Sequence, residues 1–420
     1  MGLFKKKNNE FASESLTAET WHRFKKQKLA MFGLFVIFVA AIISILGYLI
    51  TPDQTPYANS INPELNVKPI GFEVSMLNVK KNQQFEKSNV FEKMLFGKTE
   101  EYTAVPIYDY EFIGNTILIE QYTGRKVNQG TKIKYDLVDV LYALDPKHPY
   151  TYDTLKQQVT FHEFGNVTPI TKSVEDLRKE VMNSCLVKRK YLLGTDINGR
   201  DLLSRLMIGT RISLSVGLVS VFISLLIGVL LGALAGYYRG ITDTLISWLI
   251  NVVWSIPTLL LVIAITLVLG KGIVQVFIAV GLTMWVEVAR VVRGQVLSIR
   301  EKEFVDAGKA LGFKNFRIIT RHVLSNVMGP VVVMAASNFA AAILTEAGLS
   351  FLGIGAQPPV PSWGEMSNAH MSYLLMGKAY LTIVPGIATA ILVLAFMLVG
   401  NGLRDALDTR NLDETPIAAT

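Results

Sequence analysis

Residues 29–50 read LAMFGLFVIFVAAIISILGYLI, an apolar run without a single charged side chain. A helix needs about 20 such residues to cross the roughly 30 Å hydrocarbon core of a bilayer. A cleaved signal peptide is the alternative, but its apolar region is only about 7 to 15 residues long and precedes a small-residue cleavage site. The run therefore predicts a membrane-spanning helix. Comparable runs predict five more, at about 212–236, 245–269, 273–292, 325–345 and 380–402.

The overall composition is also typical of a membrane protein. Half of the 420 residues are hydrophobic and 18% are charged, against about 25% charged in soluble domains. The net charge of +7 does not indicate nucleic-acid binding, because Lys and Arg flank the apolar runs and do not cluster on one soluble face. The single cysteine, Cys185, excludes an intrachain disulfide, and the scattered histidines lack the spacing of metal ligands. We therefore expect no metal site and no nucleic-acid partner.

Residues 51–193 differ from the rest of the chain, with frequent Pro, Asn, Lys and Tyr and no apolar run long enough to cross a bilayer. β-Branched and aromatic residues predict strands at 116–122 and 159–163, and the pattern at 174–182 predicts a short helix. The segment is the size of a domain. We therefore predict an all-α polytopic membrane protein with six transmembrane helices and a mixed α/β domain inserted between the first and the second.

The distribution of positive charge predicts the orientation in the membrane. The short segments on one side carry most of the Lys and Arg, whereas those on the other side carry only Lys271 and Lys378. By the positive-inside rule both termini are cytoplasmic and 51–193 is extracytoplasmic. Arg200, Arg205 and Arg211 precede the second span on the external side, where a long translocated loop is largely exempt from the rule.

The internal segment 293–321, RGQVLSIREKEFVDAGKALGFKNFRIITR, is too long for a simple turn. Apolar and small side chains recur there at three- and four-residue spacing, at Phe304, Ala307, Gly308 and Leu311. Charged side chains lie toward the other face, at Glu303, Asp306 and Lys309. This pattern predicts an amphipathic helix at the membrane surface that ends at Gly312. Such a helix fits a groove on another protein.

The run EFVDAGKALG at 303–312 resembles the EAA loop of importer permeases of the ATP-binding cassette class, whose helix docks into the ATPase subunit. Other strings resemble the C-type permeases of the dipeptide, oligopeptide and nickel family. They are WHRFKKQKLAMFG at 21–33, LGTDINGRDLLSRLMIGTRISLSVG at 193–217, EAGLSFLGIGAQPPVPSW at 346–363 and VGNGLRDALDTR at 399–410. The strings follow the family's order and spacing. Residues 51–190 lie outside the resemblance, because the family usually has a much shorter loop there.

The resemblance implies a permease subunit and not an enzyme, in the cytoplasmic membrane of a prokaryote. Its implied partners are a homologous B-type permease, two cytoplasmic ATPases and an extracytoplasmic substrate-binding protein that delivers peptides. ATP and Mg are expected on the ATPases, because this chain has no GxxxxGK[ST] string, and we expect no cofactor on the chain itself. The implied ATPase-docking residues are Glu303, Phe304, Asp306, Ala307, Gly308, Leu311 and Gly312.

Small polar residues of the fifth span are candidates to line the translocation pathway, because polar side chains rarely face lipid. They are Ser337, Asn338 and Thr345. The predicted divisions of the chain are a basic cytoplasmic segment 1–28, transmembrane helix 29–50, the inserted domain 51–193, a conserved permease domain 194–410 with the coupling loop at about 293–321, and a C-terminal tail 411–420.

Three positions depart from the family's pattern. Gly308 stands where the EAA pattern has alanine, Ser325 where a proline is usual, and Asn401 where an aspartate is usual. Glycine in place of alanine loosens a helix by up to about 1 kcal/mol. We therefore expect softer coupling at 308, but not its loss.

Other features of the spans have both a structural and a functional interpretation. Glycines at four-residue spacing predict close helix packing, at Gly228, Gly232 and Gly236. Pro257 and Pro385 predict kinks, which a hinge would also need. Glu287 and Arg290 lie one turn apart, which predicts an ion pair, with a substrate contact as the alternative.

Three readings compete with peptide import. The same machinery could carry nickel or another small solute, because the shared strings belong to assembly and coupling. A secondary transporter or channel would need no ATP, but it usually shows inverted repeats and charged residues near the midplane. A membrane-anchored signalling or assembly protein would not need a docking helix for an ATPase.

Overall fold

The computed structural model describes residues 16–85, 89–124, 130–166 and 168–408. Most of the predicted N-terminal segment 1–28, up to residue 15, lies outside the described residues, as do the tail 411–420 and the last two positions of the string at 399–410. The described helices are α1 (Leu16–Lys26), α2 (Lys28–Ile50), α3 (Val90–Phe96), α4 (Leu137–Leu141), α5 (Val174–Glu180), α6 (Leu202–Tyr238), α7 (Gly240–Trp254), α8 (Thr258–Leu269), α9 (Ile273–Arg300), α10 (Glu303–Ala310), α11 (Asn315–Ile318), α12 (Leu324–Phe351), α13 (Trp363–Ala369) and α14 (Tyr380–Leu407). The described strands are β1 (Phe72–Lys80), β2 (Tyr102–Ile113), β3 (Thr116–Gln121), β4 (Lys132–Asp136), β5 (Thr151–Asp153), β6 (Gln158–Phe161), β7 (Ile170–Ser173) and β8 (Leu186–Tyr191).

Within the described ranges, five helices are long and apolar enough to cross a membrane: α2, α6, α9, α12 and α14. The predicted span 245–269 is instead a pair of helices, α7 and α8, bent by 90°. Pro257 lies between the two helices, directly before α8. Helix α7 cannot continue through this position, because proline has no N–H to donate to the helical hydrogen bonds. Six spans are therefore present only if the bent pair counts as one. The kink predicted at Pro257 is confirmed, but the straight third span is not.

The chain divides into two compact units, residues 1–40, 214–349 and 388–420 in the first and residues 41–213 and 350–387 in the second. In the first unit, glycines of α6 lie directly against valines of α9: Gly228 against Val288, Gly232 against Val292, and Gly236 against Val296. A Cβ added at Gly228 would lie 2.5 Å from the Cβ of Val288, which is closer than two non-bonded carbon atoms can approach. The predicted role of these glycines in close helix packing is confirmed.

The second unit contains the inserted module. Five strands form an antiparallel sheet in the order β4-β3-β2-β1-β8, and β5, β6 and β7 form a separate three-stranded antiparallel sheet. Side chains from both sheets and from α4 and α5 bury one apolar core, including Ile117, Phe161 and Leu177. The predicted strands at 116–122 and 159–163 and the predicted helix at 174–182 correspond to β3, β6 and α5. The mixed α/β character of the insertion is therefore confirmed.

A buried ionic network precedes α6 in the second unit. Asp196 is completely buried and accepts hydrogen bonds from the backbone N–H groups of Asn198 (2.8 Å) and Arg200 (3.0 Å) and from Arg200 Nε (2.6 Å). Arg205 is 1% exposed and lies 3.6 Å from Asp196 and 3.4 Å from Glu365. Burial raises the pKa of the Glu365 carboxyl above its ordinary value, although the arginines oppose this shift. The hydrogen bonds of Asp196 stabilise the turn that precedes α6.

Candidate coupling surface and pathway

Helix α10 has well-formed ends. Glu303 and Asp306 lie in its first turn, where negative charge interacts favourably with the helix dipole. At the other end the Phe313 N–H donates to the Gly308 carbonyl (3.1 Å) and the Gly312 N–H to the Lys309 carbonyl (2.9 Å). This is the Schellman arrangement, and it needs the left-handed backbone of Gly312, whose φ is +76°. The predicted end of the helix at Gly312 is confirmed.

The structure separates the predicted apolar face of α10 into two. Val305 and Gly308 are buried, and Val305 packs in a core cluster with Val296 of α9 and Ile318 of α11. Phe304 and Leu311 are exposed. Ala307, beside them on the helix, is also exposed. The prediction that Gly308 lies on one face with Phe304, Ala307 and Leu311 is therefore wrong: Gly308 lies on the buried side with Val305.

Hydrogen bonds and ion pairs fix the loop that carries α10 to the ends of the spans. The Tyr237 hydroxyl at the end of α6 donates to Asn315 Oδ1 of α11 (3.0 Å), and Arg300 of α9 donates to the Tyr237 carbonyl (2.5 Å). Arg293 of α9 forms a two-pronged ion pair with Asp243 of α7 (2.5 and 2.7 Å). These contacts tie the loop to α6 and link the ends of α6, α7 and α9 to one another.

The outward surface of this loop combines apolar and charged side chains. Phe316 of α11 is exposed, as are Phe304 of α10 and Leu311, which directly follows α10. Asp306 and Lys309 form an exposed pair at 2.9 Å, which contributes little to stability. We call Phe304, Ala307, Leu311 and Phe316 the coupling surface. Exposed large apolar side chains concentrated in one loop are typical of a protein contact.

The three candidate pathway residues on α12 lie in different surroundings. Thr345 lines a cavity of about 220 Å³. Ser337 is exposed and lies beside Gly400 of α14. Asn338 is 4% exposed, and its amide nitrogen has no hydrogen-bond partner within the described part of the chain. The structure therefore places Thr345 at a cavity and does not bring the other two there.

The same cavity exposes a carboxylate of a membrane-spanning helix. It is lined by Glu287 of α9 and by Trp254 at the end of α7. The predicted ion pair between Glu287 and Arg290 is wrong, since the Arg290 guanidinium lies over the Trp254 ring, 3.6 Å from its centroid. Glu287 is exposed and forms no ion pair among the residues that the structure describes. An unpaired carboxylate at membrane depth requires polar surroundings.

Two arginine sites were not identified from sequence. Arg205 lies in the buried network described above, and Arg211 donates to four backbone carbonyls of α2 and α3. The available signal was their position before the second span, where the charge pattern predicts few arginines. The acceptors come from distant parts of the chain and could not be inferred from local spacing.

Comparison with known proteins identifies the family. Residues 228–412 match the family model described as the binding-protein-dependent transport system inner membrane component. Residues 15–69 match the N-terminal transmembrane domain of oligopeptide transport permease C. The dipeptide transport system permease protein DppC of Alkalihalophilus pseudofirmus is 41% identical over 221 residues, which cover 53% of this chain and 72% of that protein. The chain belongs to the C-type permeases of the dipeptide and oligopeptide ABC importer family.

A second relative agrees with this assignment. The glutathione transport system permease protein GsiD of Pectobacterium atrosepticum is 40% identical over 220 residues, covering 52% of this permease and 73% of GsiD. Among solved structures, the inward-facing MetNI methionine ABC transporter aligns with a TM-score of 0.41 and 19% identity over 49% of this permease and 98% of that chain. The two matching family models leave 70–227 uncovered, and all eight described strands fall in that range.

Proposed function

We propose that this permease moves di- or oligopeptides across the cytoplasmic membrane of a prokaryote, driven by two ATPases that dock on the coupling surface. The observation that carries the proposal is the pairing of an exposed apolar surface with rigid attachment. Phe304 and Leu311 project outward, while the Tyr237–Asn315 hydrogen bond and the packing of Val305 fasten the same loop to α6 and α9. The loop therefore has the two properties that a mechanical coupling element requires.

Coupling follows from this attachment. When the ATPases close on ATP and Mg, they push on α10, including Glu303, Asp306 and the Gly312 end. The contacts of Val305 with α9 and of Asn315 with α6 carry the displacement into the spans. The spans then rock between inward-open and outward-open states. The sequence contains no GxxxxGK[ST] string, and ATP hydrolysis is proposed to take place in the partner subunits.

The pathway is proposed to run between this chain and a B-type permease. Thr345 and Glu287 line the cavity between α9 and α12, and a carboxylate there would attract the cationic amino end of a peptide. Ser337 is exposed nearer the start of α12 and would continue the lining. Asn338 is buried in this conformation and would reach the pathway only when the helices move apart.

Both termini are proposed to be cytoplasmic and the 51–193 module extracytoplasmic, in agreement with the charge distribution. On the extracytoplasmic side, the module and the 348–363 loop would form part of the binding surface for the substrate-binding protein. Deletion of 60–185 should abolish delivery while the spans still assemble. Unchanged delivery by an assembled deletion variant would refute this role.

Co-purification followed by a vesicle assay tests the proposed cargo and energy source. Uptake of labelled peptides and of nickel is compared with and without ATP. We expect two ATPases and a second permease to co-purify, and ATP-dependent uptake of peptides but not of nickel. ATP-dependent uptake of nickel alone would favour the small-solute alternative, and uptake without ATP would favour a secondary transporter.

A further inference from the structure

Helix α3 is an unusually apolar element on the surface of the second unit. Its sequence is VFEKMLF, and four of its seven side chains are large, apolar and exposed: Val90, Phe91, Leu95 and Phe96. Phe91 is 76% and Phe96 68% exposed. Elsewhere in the module, large apolar side chains such as Ile117, Phe161 and Leu177 form a common buried core. Exposure of this kind on a helix indicates a surface that is covered by lipid or protein.

Arg211 of α6 ties α3 to a transmembrane helix. Its guanidinium donates to the carbonyls of Leu95 (2.6 Å) and Met94 (2.9 Å) at the end of α3. The same group donates to the carbonyls of Ser44 (2.8 Å) and Ile45 (3.2 Å) in α2. A single planar guanidinium therefore bridges the two helices, which sets the end of α3 at the level of residues 44–45.

This level lies inside the predicted membrane span. Helix α2 continues from Ile45 to Ile50, a distance of about 7.5 Å at 1.5 Å per residue. A span needs about 20 apolar residues, so residues 44–45 lie near the boundary between acyl chains and headgroups. Ile42, Ile45 and Leu49 of α2 are also exposed, and their three- and four-residue spacing places them on one face of the span.

The polar groups of α3 are arranged as this environment requires. The last carbonyls of a helix have no partner within it, and a backbone group left unsatisfied in hydrocarbon is costly. Two of these carbonyls, of Met94 and Leu95, are satisfied by Arg211. Glu92 and Lys93 are adjacent in the sequence and leave the apolar positions 90, 91, 94 and 95 on one side of the helix.

We propose that α3 is an interfacial anchor that inserts Val90, Phe91 and Leu95 into the lipid beside the end of α2. Lipid is the occupant favoured by the structure, because Arg211 places the end of α3 at the level of residues 44–45 of the predicted span, where Ile45 is also exposed. The segment directly after α3 connects this anchor to the inserted module: the Lys98 N–H donates to the Gln54 carbonyl (2.7 Å). The anchor thereby holds the module at the membrane surface.

Spin-label accessibility tests this proposal in the full-length chain, co-purified with its partners and placed in lipid nanodiscs. Cys185 is the only cysteine of this chain, so Phe91→Cys in a Cys185→Ala background, labelled before the partners are added, gives one labelled site. Leu155→Cys in the same background is the control, because Leu155 is 95% exposed in the turn between β5 and β6. If Phe91→Cys disturbs folding, Val90→Cys on the same side of α3 provides the same measurement.

At position 91 we expect the ratio of collisions with oxygen to collisions with a water-soluble nickel chelate to exceed the ratio at position 155 several-fold. Arg211→Lys should shift the ratio at position 91 toward water, because one ammonium group cannot bridge four carbonyls. Equal ratios at 91 and 155 would overturn the proposal. Protection of position 91 from both reagents would also overturn it, since a protein partner would then cover α3.

Discussion

Truncation of Leu311 on the coupling surface should weaken ATPase binding without unfolding the permease. Leu311 is 71% and Phe304 46% exposed. Complete burial of such a side chain contributes about 1.5–3 kcal/mol, so the exposed part of Leu311 represents about 1–2 kcal/mol and that of Phe304 about 1 kcal/mol. Leu311→Ala should raise the Kd for the ATPase about 5- to 30-fold, and Phe304→Ala about fivefold.

The matched control is Leu155→Ala, which removes an even more exposed leucine (95% against 71%) from the inserted module. Both variants should keep the unfolding free energy within about 0.5 kcal/mol of the parent, because exposed side chains contribute little to folding. Binding of the purified ATPase to the permease in nanodiscs is measured by biolayer interferometry. Equal Kd values for Leu311→Ala and Leu155→Ala would refute the assignment of the coupling surface.

Further predictions concern packing, coupling and pH. Gly232→Ala should lower Tm, at a cost of about 1–3 kcal/mol, because its Cβ would lie 2.5 Å from the Ala289 carbonyl oxygen. The control Gly294→Ala, with open space around the new Cβ, should leave Tm unchanged or raise it, and a fall of equal size would contradict the packing argument. Gly308→Ala should stabilise α10 by about 0.5–1 kcal/mol, since its Cβ meets no atom closer than 3.6 Å, and should increase transport per ATP hydrolysed; a loss of coupling would contradict this. Burial lowers the pKa of the His370 imidazole from its ordinary 6.5, so the unfolded chain binds the proton more readily and stability falls as the pH drops through about 6.5. His370→Gln should flatten the decline in Tm between about pH 7.5 and pH 5.5, and an unchanged slope would assign the decline to other groups.

The membrane spans were largely predictable because their signal is local. An apolar run of about 20 residues is enough to predict a helix that crosses a bilayer. This rule holds for α2, α6, α9, α12 and α14. The prediction of the third span as one continuous helix is wrong, because hydropathy carries no information about the direction of the helix axis. Residues on both sides of Pro257 are apolar, yet α7 and α8 are bent by 90°.

Side-chain partners were harder to predict than elements. Arg290 has a carboxylate one turn away but lies over Trp254, which the bend after α7 makes available. Gly308 faces the core because Val305 shares its side of α10. Arg211 binds carbonyls of two helices far apart in the chain. Each outcome depends on a distant backbone segment that sequence periodicity does not specify.

The most direct test of the central claim is ATP-dependent peptide uptake by the reconstituted complex carrying Phe304→Asp and Leu311→Asp. Both substitutions place a charge on the exposed side of α10 and leave Val305 and the Tyr237–Asn315 hydrogen bond intact. We expect a folded permease that still assembles with its membrane partner but no longer imports peptide when ATP is supplied. Uptake at the parental rate would contradict the account that this loop couples ATP hydrolysis to transport.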